Sequence, residues 1–137
     1  MGEAFERSVG VRWRDTDALG HVNHAVFLTY LEEGRDAFLA ETLGGDPMYV
    51  IARLEVDFRA EVRLAGRIPD RRVTVRIEVE RLGTTSVTTR ETILTPPGET
   101  AAQARVVAVQ WDPAHRKPIP FSAESRARLE AHLTPGP

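Results

Sequence analysis

The spacing of apolar residues along this chain changes once, near the amino end, from alternation to a helical period. From Asn23, a favourable helix N-cap, apolar positions recur every three or four residues until Gly44 and Gly45 end the run. This spacing predicts one helix of about twenty residues with a single apolar stripe. The positions in the stripe are Phe27, Tyr30, Leu31, Gly34 and Phe38.

Alternation of apolar and polar residues predicts one strand before this helix and four strands after it. Val9, Val11 and Trp13 alternate in the first strand, which we predict over residues 6–14. The later strands are predicted over residues 49–63, 72–82, 86–94 and 100–111, with turns at 66–69, 83 and 96–98. Ser122 can cap a short final helix that extends through residue 132.

This order of elements predicts an α+β fold, with a single domain over residues 1–137. A helix with one apolar stripe must bury it, and a five-stranded antiparallel sheet can curl around it. Gly34 lies in the middle of the stripe, so the helix backbone can approach the sheet closely there. We expect the other face of the sheet to carry apolar residues at alternate positions as well, and a second copy of the chain to cover it.

The composition argues against several classes of protein. The chain is 42% hydrophobic and 28% charged, and no apolar stretch approaches the ~20 residues of a membrane span, so we expect a cytoplasmic globular protein. The absence of cysteine excludes disulfides, thiolate metal sites and a cysteine nucleophile. The net charge of −2 gives no reason to expect binding to nucleic acid.

Two acids and two histidines lie in the turn that leads into the predicted helix. This segment reads Asp15-Thr16-Asp17-Ala18-Leu19-Gly20-His21-Val22-Asn23-His24. A helix start offers unpaired backbone N–H groups and the positive end of a dipole, while a nearby carboxylate can activate water or attack a carbonyl. Together these groups suggest transfer of an acyl group to water.

Residues 14–24, followed by Tyr30-Leu31-Glu32-Glu33-Gly34-Arg35, resemble the signature of hotdog-fold acyl-CoA thioesterases. The resemblance is to the 4-hydroxybenzoyl-CoA thioesterase and Tol-Pal-associated thioesterase group. Weaker matches are Val56-Asp57-Phe58, Gly83-Thr84-Thr85-Ser86 and residues 112–118. The resemblance implies a hotdog fold, hydrolysis of acyl-CoA to free acid and CoA without cofactor or metal, and a homodimer with shared sites that associates further into a tetramer.

Residue by residue, the resemblance implies that Asp17 is the catalytic carboxylate, either as general base or as nucleophile. His24 matches a histidine of the Tol-Pal-associated branch and is the second catalytic candidate. Backbone amides near Asn23, His24 and Ala25 are implied to hold the thioester oxygen, as in an oxyanion hole. The predicted substrate-binding residues are Gly20, Asn23, Ala25, Phe27, Tyr30, Arg81, Thr85 and Ser86.

Several of these residues also have a purely structural interpretation. Asp15 can brace the turn through its side chain, and Asp17 can do the same. Phe27 and Tyr30 can either form the wall of an acyl pocket or belong to the core. These alternatives depend on where each side chain is buried.

Two further pairs are suggested by their spacing alone. His21 and His24 have the i, i+3 spacing that a metal ion can use, but the thioesterase motif accounts for both without an ion. Glu32 and Arg35 can pair on the helix surface, although a structural role at an interface is the preferred interpretation.

The sequence contains neither a glycine-rich phosphate loop nor a Gly-x-Ser-x-Gly motif, so nucleotide hydrolysis and a serine-hydrolase mechanism have no support. Two alternatives to acyl-CoA hydrolysis stay open. One is an acyl-thioester-binding or ligand-sensing module without turnover. The other is a thioesterase acting on acyl carrier protein, because His21-Val22-Asn23 resembles the motif of that group. The Asp-x-Asp turn before the helix argues against a hotdog dehydratase.

Overall fold

The structure is a computed structural model that describes residues 2–64 and 70–134. Within these residues the chain forms six strands and two helices. The strands are β1 (Phe5–Gly10), β2 (Tyr49–Phe58), β3 (Arg72–Leu82), β4 (Ser86–Leu94), β5 (Thr100–Asp112) and β6 (Lys117–Pro118), and the helices are α1 (His24–Leu43) and α2 (Ala123–Glu130).

The strands form one antiparallel sheet in the order β1-β3-β4-β5-β2, and β6 pairs with the end of β5. The predicted α+β fold with a five-stranded antiparallel sheet is therefore confirmed. The two residues of β6 were not predicted, because so short a strand has no periodic pattern. Strands β1 and β2 lie at the edges of the sheet.

Two strands end earlier than predicted. β1 stops at Gly10, and Trp13 lies in a 3-10 turn with 80% of its surface exposed. The backbone N–H of Arg12 donates to the Asp15 side chain, and this local bond replaces strand pairing. β2 stops at Phe58, where the next two backbone N–H groups both donate to the carbonyl of Ala101. The turn predicted at 66–69 lies outside the described residues.

Helix α1 buries its apolar stripe against the inner face of β1, β3 and β4. It begins after the N-cap Asn23 and ends at Gly44, whose φ of 81° favours glycine. A Cβ at Gly34 would lie 2.4 Å from Cγ1 of Val75, so only glycine allows this close approach. No helix in the described part of the chain has the length and apolarity that a membrane crossing requires.

The outer face of the sheet is polar over β3 and β4, so the expectation of an apolar outer face was wrong there. Ion pairs cross this face between neighbouring strands, including Arg90 with Glu78 and Arg105 with Glu80. The exposed apolar side chains lie along the edge strand β2 instead, each about 40% exposed. These residues are Val50, Ile51, Leu54 and Phe58.

A buried ion pair joins α1 to β4. Arg35 donates through Nε and Nη2 to the two carboxylate oxygens of Glu91 at 2.9 and 2.8 Å, and Thr89 donates to the same carboxylate. The hydrogen bonds and charge of Glu91 raise the pKa of Arg35, although burial by itself lowers it. Arg35 does not pair with Glu32 on the helix surface, because its side chain points into the core.

We expect Arg35→Met to lower the free energy of unfolding by about 3–5 kcal/mol, because it leaves the Glu91 carboxylate buried without a cation. Urea unfolding followed by circular dichroism measures this change. Arg7→Met is the matched control, since Arg7 pairs with Glu41 on the surface and its loss costs about 1 kcal/mol or less. Equal losses in the two variants would contradict a structural role of the buried pair.

Candidate active site

A tight turn carries Asp17 to the start of α1. The backbone N–H of Asp17 donates to the carbonyl of His21 at 2.9 Å, and Thr16 pairs with Val22 in an isolated bridge. Gly20 has a φ of 84°, a conformation that permits this reversal and that other residues rarely adopt. Gly20, a predicted substrate-binding residue, therefore shapes the turn that presents Asp17.

Asp15 fixes this turn to the helix. Its side chain is buried and accepts hydrogen bonds from the Tyr30 hydroxyl at 2.7 Å and from the Arg12 backbone at 2.9 Å. Its carbonyl accepts from the backbone N–H of Asn23 at 2.9 Å. Burial by itself raises the pKa of Asp15, but these hydrogen bonds and the charge of Arg12 hold the pKa below its usual value. Asp15 thus has the bracing role that its position suggested.

Asp17 keeps its carboxylate open to solvent. Its side chain is 30% exposed, and one oxygen accepts from the backbone N–H of Leu19 at 2.9 Å. The other oxygen lies 3.7 Å from Nδ1 of His21, whose Nε2 is 3.9 Å from the Glu61 carboxylate. The Leu19 bond orients Asp17, while the second oxygen has no hydrogen-bond donor among the described residues and is available for chemistry.

The helix start offers fewer free amides than predicted. The N–H of Asn23 already bonds to Asp15, and the N–H of Ala25 bonds to the Asn23 side chain at 2.9 Å. The N–H of Val26 bonds to the carbonyl of Asn23. Among the described residues, the N–H of His24 has no such partner, so it is the donor that the first turn can offer to a ligand.

The ring of His24 belongs to an aromatic cluster. It lies 4.5 Å from the ring of Phe58 and 5.8 Å from that of Phe27, between centroids. Phe58 is 42% exposed and is a site residue that the sequence analysis missed. A large aromatic residue at the end of an edge strand was the available signal, but only the register of β2 brings it to His24.

Phe27 and Tyr30 do not line an open pocket of this chain, so their assignment to substrate binding was wrong for the single chain. Their exposed fractions are 0% and 1%. They belong to the core because both lie on the face of α1 that packs on the sheet. Burial and the neighbouring Asp15 carboxylate raise the pKa of Tyr30, which therefore stays a hydrogen-bond donor.

The other predicted substrate contacts lie at the opposite end of the sheet. Arg81, Thr85 and Ser86 are at the hairpin between β3 and β4, whereas Phe58 pairs with Ala102 near the far end of β4. A strand of nine residues, the length of β4, spans roughly 25–30 Å. One chain therefore does not bring this hairpin to Asp17 and His24.

The part of the chain that the structure describes does not support the metal site suggested by the spacing of the histidines. No group of three or more His, Cys, Asp or Glu side chains is placed there to hold an ion. His21 and His24 do not converge either: His21 faces Asp17 and Glu61, whereas His24 packs on Phe58.

Comparisons with known proteins identify the family of this chain. The sequence model of the thioesterase-like superfamily matches residues 11–129. A structure described as a predicted thioesterase from Bacillus stearothermophilus is 27% identical, has a TM-score of 0.84, and is matched over 98% of this chain and 100% of that chain.

A thioesterase from Thermus thermophilus, solved in complex with coenzyme A and Zn, is 32% identical to this chain. Its TM-score is 0.78, and the match covers 92% of this chain and 97% of that one. A search among curated proteins gives no match. From the family match and these structures we conclude that the chain belongs to the thioesterase-like superfamily and has the hotdog fold.

Proposed function

We propose that the chain hydrolyses acyl-CoA thioesters to a free acid and CoA. The observation that carries this proposal is an open carboxylate, Asp17, held in a braced turn next to a helix start whose His24 N–H has no partner among the described residues. A nucleophile or base beside an oxyanion donor is what acyl transfer to water requires. The coenzyme A bound by the Thermus thermophilus relative supports CoA as the carrier.

In the mechanism that we favour, Asp17 acts as general base. Its free oxygen takes a proton from a water molecule, and the resulting hydroxide attacks the thioester carbon. The oxygen of the tetrahedral intermediate accepts the His24 N–H, a donor type worth about 100–1,000-fold in rate. Collapse of the intermediate breaks the C–S bond, and the CoA thiolate leaves and takes up a proton. The exposed ring of His24 helps to place the water.

The alternative mechanism uses Asp17 as nucleophile. Its carboxylate oxygen then attacks the thioester carbon directly, the thiolate leaves, and the mixed anhydride is hydrolysed by water. The bond from Leu19 to one oxygen leaves the second free for either role. The two mechanisms differ in the origin of the oxygen atom found in Asp17 after one turnover.

We further propose that two chains complete each site. The edge of β2 is unpaired within the chain and carries exposed apolar side chains, so a second copy can pair there through a two-fold axis. Antiparallel pairing of the two β2 strands brings the partner's hairpin, with Arg81, Thr85 and Ser86, towards the helix start that carries His24. Cationic Arg81 then suits the phosphates of CoA. Association into a tetramer stays a prediction.

A second candidate substrate is an acyl group on a carrier protein. Trp13 and Leu19 flank the catalytic turn and are 80% and 77% exposed, and Arg12 and Arg14 lie beside Trp13 on the surface. Exposed apolar side chains with cations nearby suit an acidic protein better than a free nucleotide. An acyl carrier protein thioester belongs in the substrate panel for this reason.

We expect Asp17→Asn to lower the release of free thiol from acyl-CoA at least 100-fold, because the amide is neither a base nor a nucleophile. A thiol reagent measures the rate, both with and without chelator. Asp70→Asn, at an exposed position, is the control and keeps the wild-type rate.

Retained activity in Asp17→Asn would contradict the assignment of this residue, and loss of wild-type activity with chelator would favour a metal mechanism. Tight acyl-CoA binding without turnover by the wild type would favour the binding module. Label found in the Asp17 carboxylate after a single turnover in labelled water would establish the anhydride, since general-base attack leaves both oxygens of Asp17 unlabelled.

The hydrogen bond from Tyr30 to Asp15 braces the turn that carries Asp17. We expect Tyr30→Phe to cost about 1–3 kcal/mol of stability and to lower kcat/KM about tenfold, because Asp15 loses a buried donor and the turn loosens. The lowered pKa of Asp15 contributes stability above about pH 4 that is lost as the pH falls further. The variant should lose less stability over this range, as measured by urea unfolding at pH 7, 4 and 3.

Tyr49→Phe is the matched control for the acid dependence, because the Tyr49 hydroxyl bonds to Asp36 and Arg35 and leaves Asp15 untouched. The same acid dependence in Tyr30→Phe and the wild type would show that this hydroxyl does not lower the pKa of Asp15.

If two chains share each site, two variants that each lack a different part of it should complement each other. We expect equal amounts of Asp17→Asn chains and Arg81→Ala/Ser86→Ala chains, after exchange, to recover about a quarter of wild-type activity. Half of the dimers are then mixed, and each mixed dimer holds one intact site. Native mass spectrometry reports the exchange, because the substitutions give the mixed dimer a mass of its own. No recovery in dimers shown to be mixed would mean that each chain builds its own site.

A further inference from the structure

A cavity of about 310 Å³ lies at the end of α1 opposite to Asp17. It is enclosed by the last turns of α1, the start of β2, the second half of β5 and the segment that leads into α2. Most of the side chains that line it are apolar. They include Leu39, Leu43, Met48, Val87, Trp111 and Phe121.

The chemistry of this cavity suits an aliphatic chain and not a nucleotide. The charged side chains on its wall are Asp46 and Asp112, and both are acidic, so they repel the phosphates of CoA. A methylene group is about as large as a water molecule, which takes roughly 30 Å³, so the cavity holds a chain of about ten carbons. Phe27 and Tyr30 are buried in the core and do not form an open acyl pocket beside Asp17. The acyl group therefore needs a pocket in another part of the molecule.

The cavity is too far from the catalytic turn of its own chain. Helix α1 separates them, and its 20 residues span about 30 Å, about twice the length of such an acyl chain. Met48 lies at the rim of the cavity, is 54% exposed and precedes the free edge β2. If two β2 edges pair antiparallel, the start of one strand lies beside Phe58 at the end of the other.

We propose that this cavity is the acyl pocket for the site of the partner subunit, and that it accepts unbranched aliphatic chains of up to about ten carbons. The thioester then lies at the His24 amide of one chain, and its hydrocarbon tail enters between α1 and β5 of the other. This inference rests on the proposed hydrolysis of acyl-CoA and on the shared dimer. It assigns chain-length selection to Leu43, Val87 and Ala108, which line the wall.

The first test changes the volume of the pocket. Ala108→Leu fills part of it, so we expect kcat/KM for decanoyl-CoA to fall at least tenfold while that for butanoyl-CoA changes less than about twofold. Leu43→Ala enlarges it and should shift the preference to longer chains. Ala127→Leu, the same change at an exposed position on α2, should keep the wild-type profile. Thermal unfolding verifies that each variant folds.

The second test asks which chain supplies the pocket. In a mixed dimer, the Asp17→Asn chain keeps an open pocket and the Ala108→Leu chain keeps an intact Asp17. These two parts form an active site only if Asp17 and the pocket come from different subunits. Decanoyl-CoA turnover should then recover to about a quarter of wild type after equal mixing. No recovery would place the pocket and Asp17 in the same chain and overturn the inference.

Failure of the inference and failure of the proposed function give different results. If folded Ala108→Leu and Leu43→Ala both keep the wild-type chain-length profile while Asp17 stays essential, the cavity is not the acyl pocket. If the wild type turns over no acyl-CoA, calorimetry with decanoic acid decides instead. Decanoate binding that is lost in Ala108→Leu supports the pocket without the hydrolase, and equal binding by both proteins overturns it.

Discussion

The geometry of the candidate site depends on the buried carboxylate of Asp15. A carboxylate removed from water must be satisfied by hydrogen bonds, and Asp15 obtains them from the backbone before the turn and from the Tyr30 hydroxyl on α1. Its carbonyl holds Asn23, the residue that starts the helix. One residue therefore joins the end of the first strand, the turn that carries Asp17 and the helix. The neighbouring Asp17 can stay open to solvent because it is not needed for this structural role.

Most of the fold follows from local pattern. β3 and β4 match their predicted ranges, because alternate side chains along each strand are buried. Helix α1 is also predicted from sequence, because it has an N-cap residue at its start and a glycine at its end. The prediction was wrong where local hydrogen bonds compete with strand pairing, as at Trp13. It also missed the pairing of Arg35 with Glu91, because these residues are 56 positions apart and no periodicity links them.

The candidate site likewise has one part that the local sequence predicts and another part that it does not. Asp17 and His24 are close in sequence, so one motif predicts that they lie close together. Phe58 reaches His24 only through the pairing of β2 with β5, which a single sequence does not reveal. Arg81 lies at the far end of the sheet, and no folding of one chain corrects this distance. The part of the site that the sequence could not predict is the part that depends on long-range pairing and on assembly.

The two edges of the sheet differ in a way that limits its growth. β2 lies at an edge of the sheet and carries exposed apolar side chains. Such an edge can pair with a strand of another molecule, and aggregation follows unless one defined partner occupies it. In a two-fold dimer both β2 edges are used up, and the continuous sheet ends in β1 on each side. β1 carries Glu6 and Arg7, which pair with Arg76 and Glu41 of their own chain. These charged ends make a poor template for another strand, so a sheet joined through β2 in the proposed dimer would stop at two chains and would not extend into a fibre.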